Sequence, residues 1–159
     1  MRPRLARTDD AKGIAAIWNH YIRETTITFT STEKTPDEVA ALIEARPAFF
    51  VAEAGRGIAG FATYAQFRGG DGYARCMEHT IQVAPDARGG GLGRALLSAV
   101  EDHARTGGAH SIFAGVSAEN EAGLAFHRRM GYTASWTLPQ TGWKFGRWLD
   151  LVLMQKFLS

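Results

Sequence analysis

The chain has 159 residues, the size of one domain, and its 45% hydrophobic and 21% charged content fits a globular protein able to bury a core. A net charge of +2, spread over 18 basic and 16 acidic side chains with no basic stripe among aromatics, argues against a nucleic-acid partner. The single cysteine, Cys76, allows no internal disulfide, no apolar run approaches a membrane span of about 18 residues, the N-terminus is too polar for a signal peptide, and the histidines lack metal-site spacing; a cytoplasmic protein without membrane or metal partners is expected.

Residues 2–7, RPRLAR, read as a short first strand, and Thr8-Asp9-Asp10 offer caps for a helix with apolar residues at Ile14, Ile17, Trp18, Tyr21 and Ile22. Thr35-Pro36-Asp37-Glu38 follows the capping-box pattern, with proline at the first helical position, and opens a second helix through Val39, Leu42 and Ile43. FFVAEA and GIAGFATYAQF flank Gly55-Arg56-Gly57 as a β-hairpin, and CMEHTIQVA follows as another strand. Leu92, Leu96, Leu97, Val100 and Ala104 then form a third amphipathic face, ended by Gly107-Gly108. HSIFAGVS is a buried-type strand, parallel to its predecessor through a right-handed crossover. Asn120 to Met130 form a fourth helix closed by Gly131, and YTASWTL with RWLDLVLMQKF end the chain as two strands. The fold class is α+β, a single domain over residues 1–159 built on a mixed sheet.

The segment PDARGGGLGRALL runs from Pro85 into the third helix. It is no Walker loop, because Gly93 is followed by Arg94-Ala95 rather than Lys and Ser or Thr. A dinucleotide GxGxxG also fails, since its third glycine would fall on Arg94 or Leu96. The remaining pattern, Arg88-Gly89-Gly90-Gly91-Leu92-Gly93, places bare backbone and unpaired N–H groups at a helix start after a strand. That combination is a cradle for pyrophosphate.

The same segment, with MEHTIQVAP before it, resembles the acetyl-CoA loop of the GNAT superfamily of N-acetyltransferases, in the branch acting on phosphinothricin and methionine sulfone or sulfoximine. NEAGLAFHRRMGY and LPQTGWKFGRWLDLVLMQ are similar to later signatures of that branch, so nearly the whole chain is covered. The resemblance implies a strongly twisted mixed sheet with helices on both faces, splayed between two central strands to admit the pantetheine arm. It implies acetyl-CoA as cosubstrate, a small-molecule amine as acceptor and a homodimer. Arg88, Gly89, Gly90, Gly91, Leu92, Gly93 and Arg94 would hold the pyrophosphate, Asn120 would contact the cofactor, and backbone groups of Gln82 and Val83 would pair with pantetheine amides. Gly90 and Gly123 stand where the family often has lysine and serine.

N-acetylation needs a route for the proton of an amine whose pKa is roughly 8 to 10. Strand alternation puts Glu78, Thr80 and Gln82 on one face and His79, Ile81 and Val83 on the other, making Glu78 the candidate base unless a β-bulge exchanges the faces. His79 is then a packing histidine. The resemblance gives Glu78 the same role and makes His127 the group that assists the departing CoA thiolate. Phe29 stands where the branch usually has tryptophan and Arg68 matches an arginine of its substrate pocket, with Thr80 a further substrate-binding candidate, but the second arginine of the branch falls on Ala74 here, with Arg75 one place later. Lys144 and Arg147 are either pocket-rim charges or solvated turn residues. An acetyltransferase for another amine, such as a peptide N-terminus or polyamine, and a non-catalytic acetyl-CoA-binding module are the alternative readings.

Overall fold

The structure is a computed structural model and describes residues 2–159. Its strands are β1 (Arg4–Leu5), β2 (Ala48–Glu53), β3 (Ile58–Gln66), β4 (Cys76–Val83), β5 (Ser111–Ser117), β6 (Ala134–Lys144) and β7 (Arg147–Phe157). The helices are α1 (Ala11–Glu24), α2 (Pro36–Ala45), α3 (Leu92–Thr106) and α4 (Glu121–Arg129). One seven-stranded sheet runs in the order β1-β2-β3-β4-β5-β7-β6. Among the described residues only β4 and β5 pair in parallel; every other neighbouring pair is antiparallel. The mixed α+β sheet expected from the sequence is present.

Local chemistry explains most boundaries. Thr35 Oγ1 accepts from Glu38 N while Glu38 Oε1 accepts from Thr35 N, so the capping box forms at the start of α2, an arrangement worth about 0.5–2 kcal/mol. The start of α1 differs from expectation. Thr8–Asp10 makes a 3-10 turn, and the Asp10 carboxylate accepts from Arg4 and from Arg7 N instead of capping the helix. The arginine beside it holds the Asp10 pKa below its ordinary value.

Each face of the sheet carries its own core. Ile14, Ile17, Trp18, Tyr21, Ile22 and Val39 pack on Phe49, Val51 and Phe61, while Leu96, Leu97, Val100 and Ala104 pack on Ala62, Ile112, Ala114 and Met154. Burial of each of the larger aliphatic side chains and of phenylalanine contributes about 1.5–3 kcal/mol. Close approach of α3 to the sheet requires Gly60, where an added Cβ would lie 2.9 Å from Leu96 Cδ1.

Two features position the site. Pairing of β4 with β5 runs only from Cys76↔Ser111 to His79↔Ala114, although both strands continue. Beyond His79 the two backbones part, the splay implied by the resemblance. The second feature is the β6–β7 hairpin. The sequence reading ends the sixth strand at Leu138, before Pro139, but the strand resumes after a register break between Leu138 and Gly142 and continues to Lys144. Gln140 sits in the left-handed region at φ 50°, its N–H bonded to Asp150 Oδ1, and absorbs the irregularity that proline imposes.

Candidate active site

The gap between β4 and β5 opens into two adjoining clefts of about 460 and 300 Å³. The larger runs from the glycine loop to α4, lined by Gln82, Val83, Arg88, Gly89, Gly91, Leu92, Gly93, Arg94, Asn120 and His127. Gly90 does not line it. Gly89 and Gly91 have φ of 84° and 81°, a conformation costly for any side chain but glycine. Gly91 is also the N-cap of α3 and has no side chain to cap it, so the first N–H groups of the helix are left for a ligand. Arg129, which the sequence reading did not single out, joins Arg88 and Arg94 in the lining. The Arg88 guanidinium is anchored, donating through Nη2 to Tyr21 Oη at 2.8 Å, and that hydroxyl donates in turn to Val83 O.

The main chain of β4 corrects one expectation. Ala84 N bonds Ala59 O on β3, and the antiparallel alternation then turns the main-chain groups of Gln82 toward Phe61. Gln82 lines the cleft, but the main-chain groups open to the gap are those of Ile81 and the N–H of Val83, whose carbonyl accepts from Tyr21 Oη. At the start of α4, Asn120 Oδ1 accepts from Gly123 N at 2.9 Å, so Asn120 is an N-cap that also lines both clefts. A Cβ at position 123 would fall 2.3 Å from Asn120 Nδ2, which explains glycine there.

The smaller cleft is lined by Trp18, Phe29, Glu78, Thr80, Gly115 and His127, among others. The register of β4 against β3 is continuous, so no bulge exchanges its faces. A Cβ at Gly115 would lie 3.0 Å from Glu78 Oε2, so the missing side chain on β5 makes room for the carboxylate. Burial raises the pKa of Glu78, and the positive charge of Arg46 at the C-terminal end of α2 opposes that rise. The group therefore favours folding while protonated, and this contribution is lost as pH rises through the raised value.

Across the sheet, His79 and His127 are both buried and stack at 5.1 Å between centroids. His127 Nδ1 lies 2.7 Å from Gly123 O and its Nε2 lies 3.2 Å from His79 Nε2. Burial lowers both pKa values, so the neutral forms are favoured. A carbonyl can only accept, so the His127 hydrogen sits on Nδ1, and His79 must donate from Nε2. That leaves His79 Nδ1 as a buried side-chain atom without a partner.

Arg68 and Arg75 are exposed and line neither cleft: the Arg68 guanidinium lies 5.4 Å from the Tyr73 ring, and Arg75 contributes its carbonyl to His110 N and Ser111 N. Both lie at the far end of β4 from the splay. Arg46 and Gly115 escaped the sequence reading because their proximity to Glu78 is purely tertiary. Among the described residues no cluster of three or more His, Cys, Asp or Glu could hold a metal, and no helix is long and apolar enough to cross a membrane.

A glycine loop opening a helix beside parted parallel strands, with a desolvated carboxylate across the gap, defines an acyl-transferase site. The sequence profile of the acetyltransferase (GNAT) family matches residues 14–132, and the chain belongs to that family. It is 38% identical to the L-amino acid N-acyltransferase MnaT of Escherichia coli strain K12, over 98% of this chain and 92% of that protein. It is 36% identical to the L-methionine sulfoximine/L-methionine sulfone acetyltransferase of Salmonella typhimurium, over 98% and 93%. Among solved structures, the Salmonella typhimurium acetyltransferase yncA, determined with its cofactor acetyl-CoA, superposes with a TM-score of 0.93 at 36% identity, covering 99% of this chain and 93% of that one.

Replacing Arg46 by methionine removes the cation that restrains the Glu78 pKa. The carboxyl should then titrate at higher pH than in the unsubstituted protein, measured by carboxyl-carbon NMR; an unchanged or lower midpoint would show that Arg46 does not act on this group.

Proposed function

We propose that the protein transfers the acetyl group of acetyl-CoA to the α-amine of a small amino acid or analogue, of the methionine sulfone, methionine sulfoximine or phosphinothricin type. Acetyl-CoA dependence and a small amine as acceptor are supported by the family and by the relatives' own activities. The observation that carries the reading is the continuity of the two clefts. An uncapped helix start with three arginines lies along one, and Glu78 lies in the other.

In this reading the pyrophosphate caps α3 and the pantetheine arm runs along the open edge of β4, bonding to the free peptide groups as a further strand would. The thioester then arrives where the clefts meet, beside Asn120 and His127. The acceptor amine enters past Phe29 and Thr80 and gives up its proton to Glu78, directly or through water. Burial makes this carboxylate a stronger base than an exposed one. Nitrogen attacks the carbonyl carbon, the C–S bond breaks, and the sulfur takes a proton. His127 is proposed to serve that last step. In the neutral pair its Nε2 accepts rather than donates, so delivery to sulfur follows uptake by the pair of the second proton, which the nitrogen sheds after attack. Holding both reactants in one ternary complex supplies much of the acceleration, and no acyl-enzyme is required.

A homodimer completes the proposal. Trp136, Trp143, Phe145, Trp148 and Phe157 are each more than half exposed, and all belong to the β6–β7 hairpin at the edge of the sheet. A second copy of the chain is the proposed cover for these exposed aromatic side chains.

Four measurements test these points. Gly91→Asp puts a side chain and a negative charge at the helix start, so calorimetry should find no measurable acetyl-CoA affinity in the folded variant; unchanged affinity would remove the loop from the cofactor site. Glu78→Gln should lower kcat about 10²- to 10⁴-fold while acetyl-CoA still binds, with partial recovery at high pH, where free amine is abundant. CoA release measured across amino acids, polyamines and peptide N-termini identifies the acceptor, and near-normal turnover by Glu78→Gln at neutral pH would exclude the base role. Light scattering at micromolar concentration should give twice the mass of the 17.3 kDa chain, and a monomeric mass would reject the dimer.

A further inference from the structure

One wall of the smaller cleft is made by Thr28, Phe29 and Thr30, from the connection between α1 and α2, next to Ile27, which lines both clefts. This segment belongs to no helix or strand, and among the described residues no backbone-to-backbone hydrogen bond ties residues 26–34 to the rest of the fold. A wall of this kind has a defined position only if side chains hold it. At its end, Asn19 accepts from Lys34 N and donates to Lys34 O. In its middle, the β6–β7 hairpin reaches across to it.

Lys144 on that hairpin is 1% exposed, whereas its neighbours Trp143 and Phe145 are 55% and 59% exposed. Its Nζ donates to Thr28 O at 2.8 Å and to Thr28 Oγ1 at 3.2 Å, and it lies 5.1 Å from the Phe145 ring. Lysine is almost never fully buried unless its ammonium is partnered. Here the partner is a main-chain carbonyl of the cleft wall.

Gly142, two residues earlier, fixes the adjacent residue. An added Cβ there would come 2.3 to 2.7 Å from the Phe29 ring, so the aromatic ring rests directly on glycine backbone. A third link closes the set: Glu119 accepts from Thr26 Oγ1 at 3.0 Å and pairs with Arg147 of the hairpin.

We propose that Lys144 is a positioning residue for the acceptor: by holding Thr28 it sets the Phe29 wall, and with it which amine side chain the enzyme accepts. The inference rests on the smaller cleft being the acceptor side. Lys144 itself lines neither cleft and contacts neither Glu78 nor the glycine loop. Its influence passes through the wall alone, so it should move acceptor recognition while leaving cofactor binding in place.

The test is Lys144→Met, which keeps the length of the stem and removes the ammonium. The acceptor KM should rise about tenfold, the preference between small and large acceptor side chains should change, and acetyl-CoA affinity and kcat should stay within about threefold. In a Phe29→Ala background the same substitution should have little further effect, because the wall it positions is gone. A general loss of structure would instead lower kcat and cofactor affinity together and would persist in that background; either result overturns the proposal, as does an unchanged acceptor KM. Gly142→Ala, which displaces the ring from the other side with the lysine intact, should reproduce the KM change. Hydrogen exchange provides a readout independent of turnover: Lys144→Met should speed exchange of the amides of residues 28–30, and unchanged protection there would overturn the lysine's role. A wild type that releases CoA only with non-amino-acid amines would fail the functional reading, while the exchange result still decides the role of Lys144.

Discussion

Hydrogen bonding between β4 and β5 stops at His79 and Ala114, and the remaining halves of both strands face each other across a gap. Main-chain groups along that gap have to find partners, because a buried peptide group left unpaired costs as much as a lost hydrogen bond. A ligand with amides of its own satisfies the demand in an extended geometry that water fills less specifically. The same parting of the strands creates the room into which Glu78 projects from one face and the His79–His127 pair from the other. Without it, the glycine loop would be only a turn at the end of a strand.

Desolvation acts on the two faces in a complementary way. It raises the pKa of the Glu78 carboxyl and lowers those of both imidazoles, so each group is biased toward its neutral form. Arg88, Arg94 and Arg129 gather positive charge along the larger cleft. Arg46 tempers the rise on Glu78 from a distance, a charge effect that needs no hydrogen bond.

Features governed by local chemistry were readable along the chain. Thr35 and Glu38 announce a capping box, the alternation through β4 separates Glu78 from His79, and the glycines at 89 and 91 foretell positive φ. What escaped depends on residues far apart in sequence. Nothing local marks Gly115 as the space that accommodates Glu78, or Gly142 as the bed of Phe29. Lys144 carries a charge in a segment of exposed aromatics, and only the fold shows that its ammonium points inward to Thr28. The sixth strand runs on past Pro139 because it lies at the sheet edge, where proline's missing N–H costs no ladder bond, and a left-handed Gln140 lets it continue. The glycine-loop side was therefore more legible than the smaller cleft. The loop is made of consecutive residues, whereas the smaller cleft is assembled from six separate segments.

The bare start of α3 has a consequence for how the protein behaves when heated. Leu96, Leu97, Val100 and Ala104 on this helix form much of one core, yet its first turn has no side chain to cap it. An anion bound there acts as the missing cap, so occupancy is felt through the whole face of the sheet. A ligand bound only by the folded state at a hundred times its Kd adds about 2.7 kcal/mol of apparent stability. For any anion held at that helix start, ligand supply and resistance to unfolding are thus joined at one glycine.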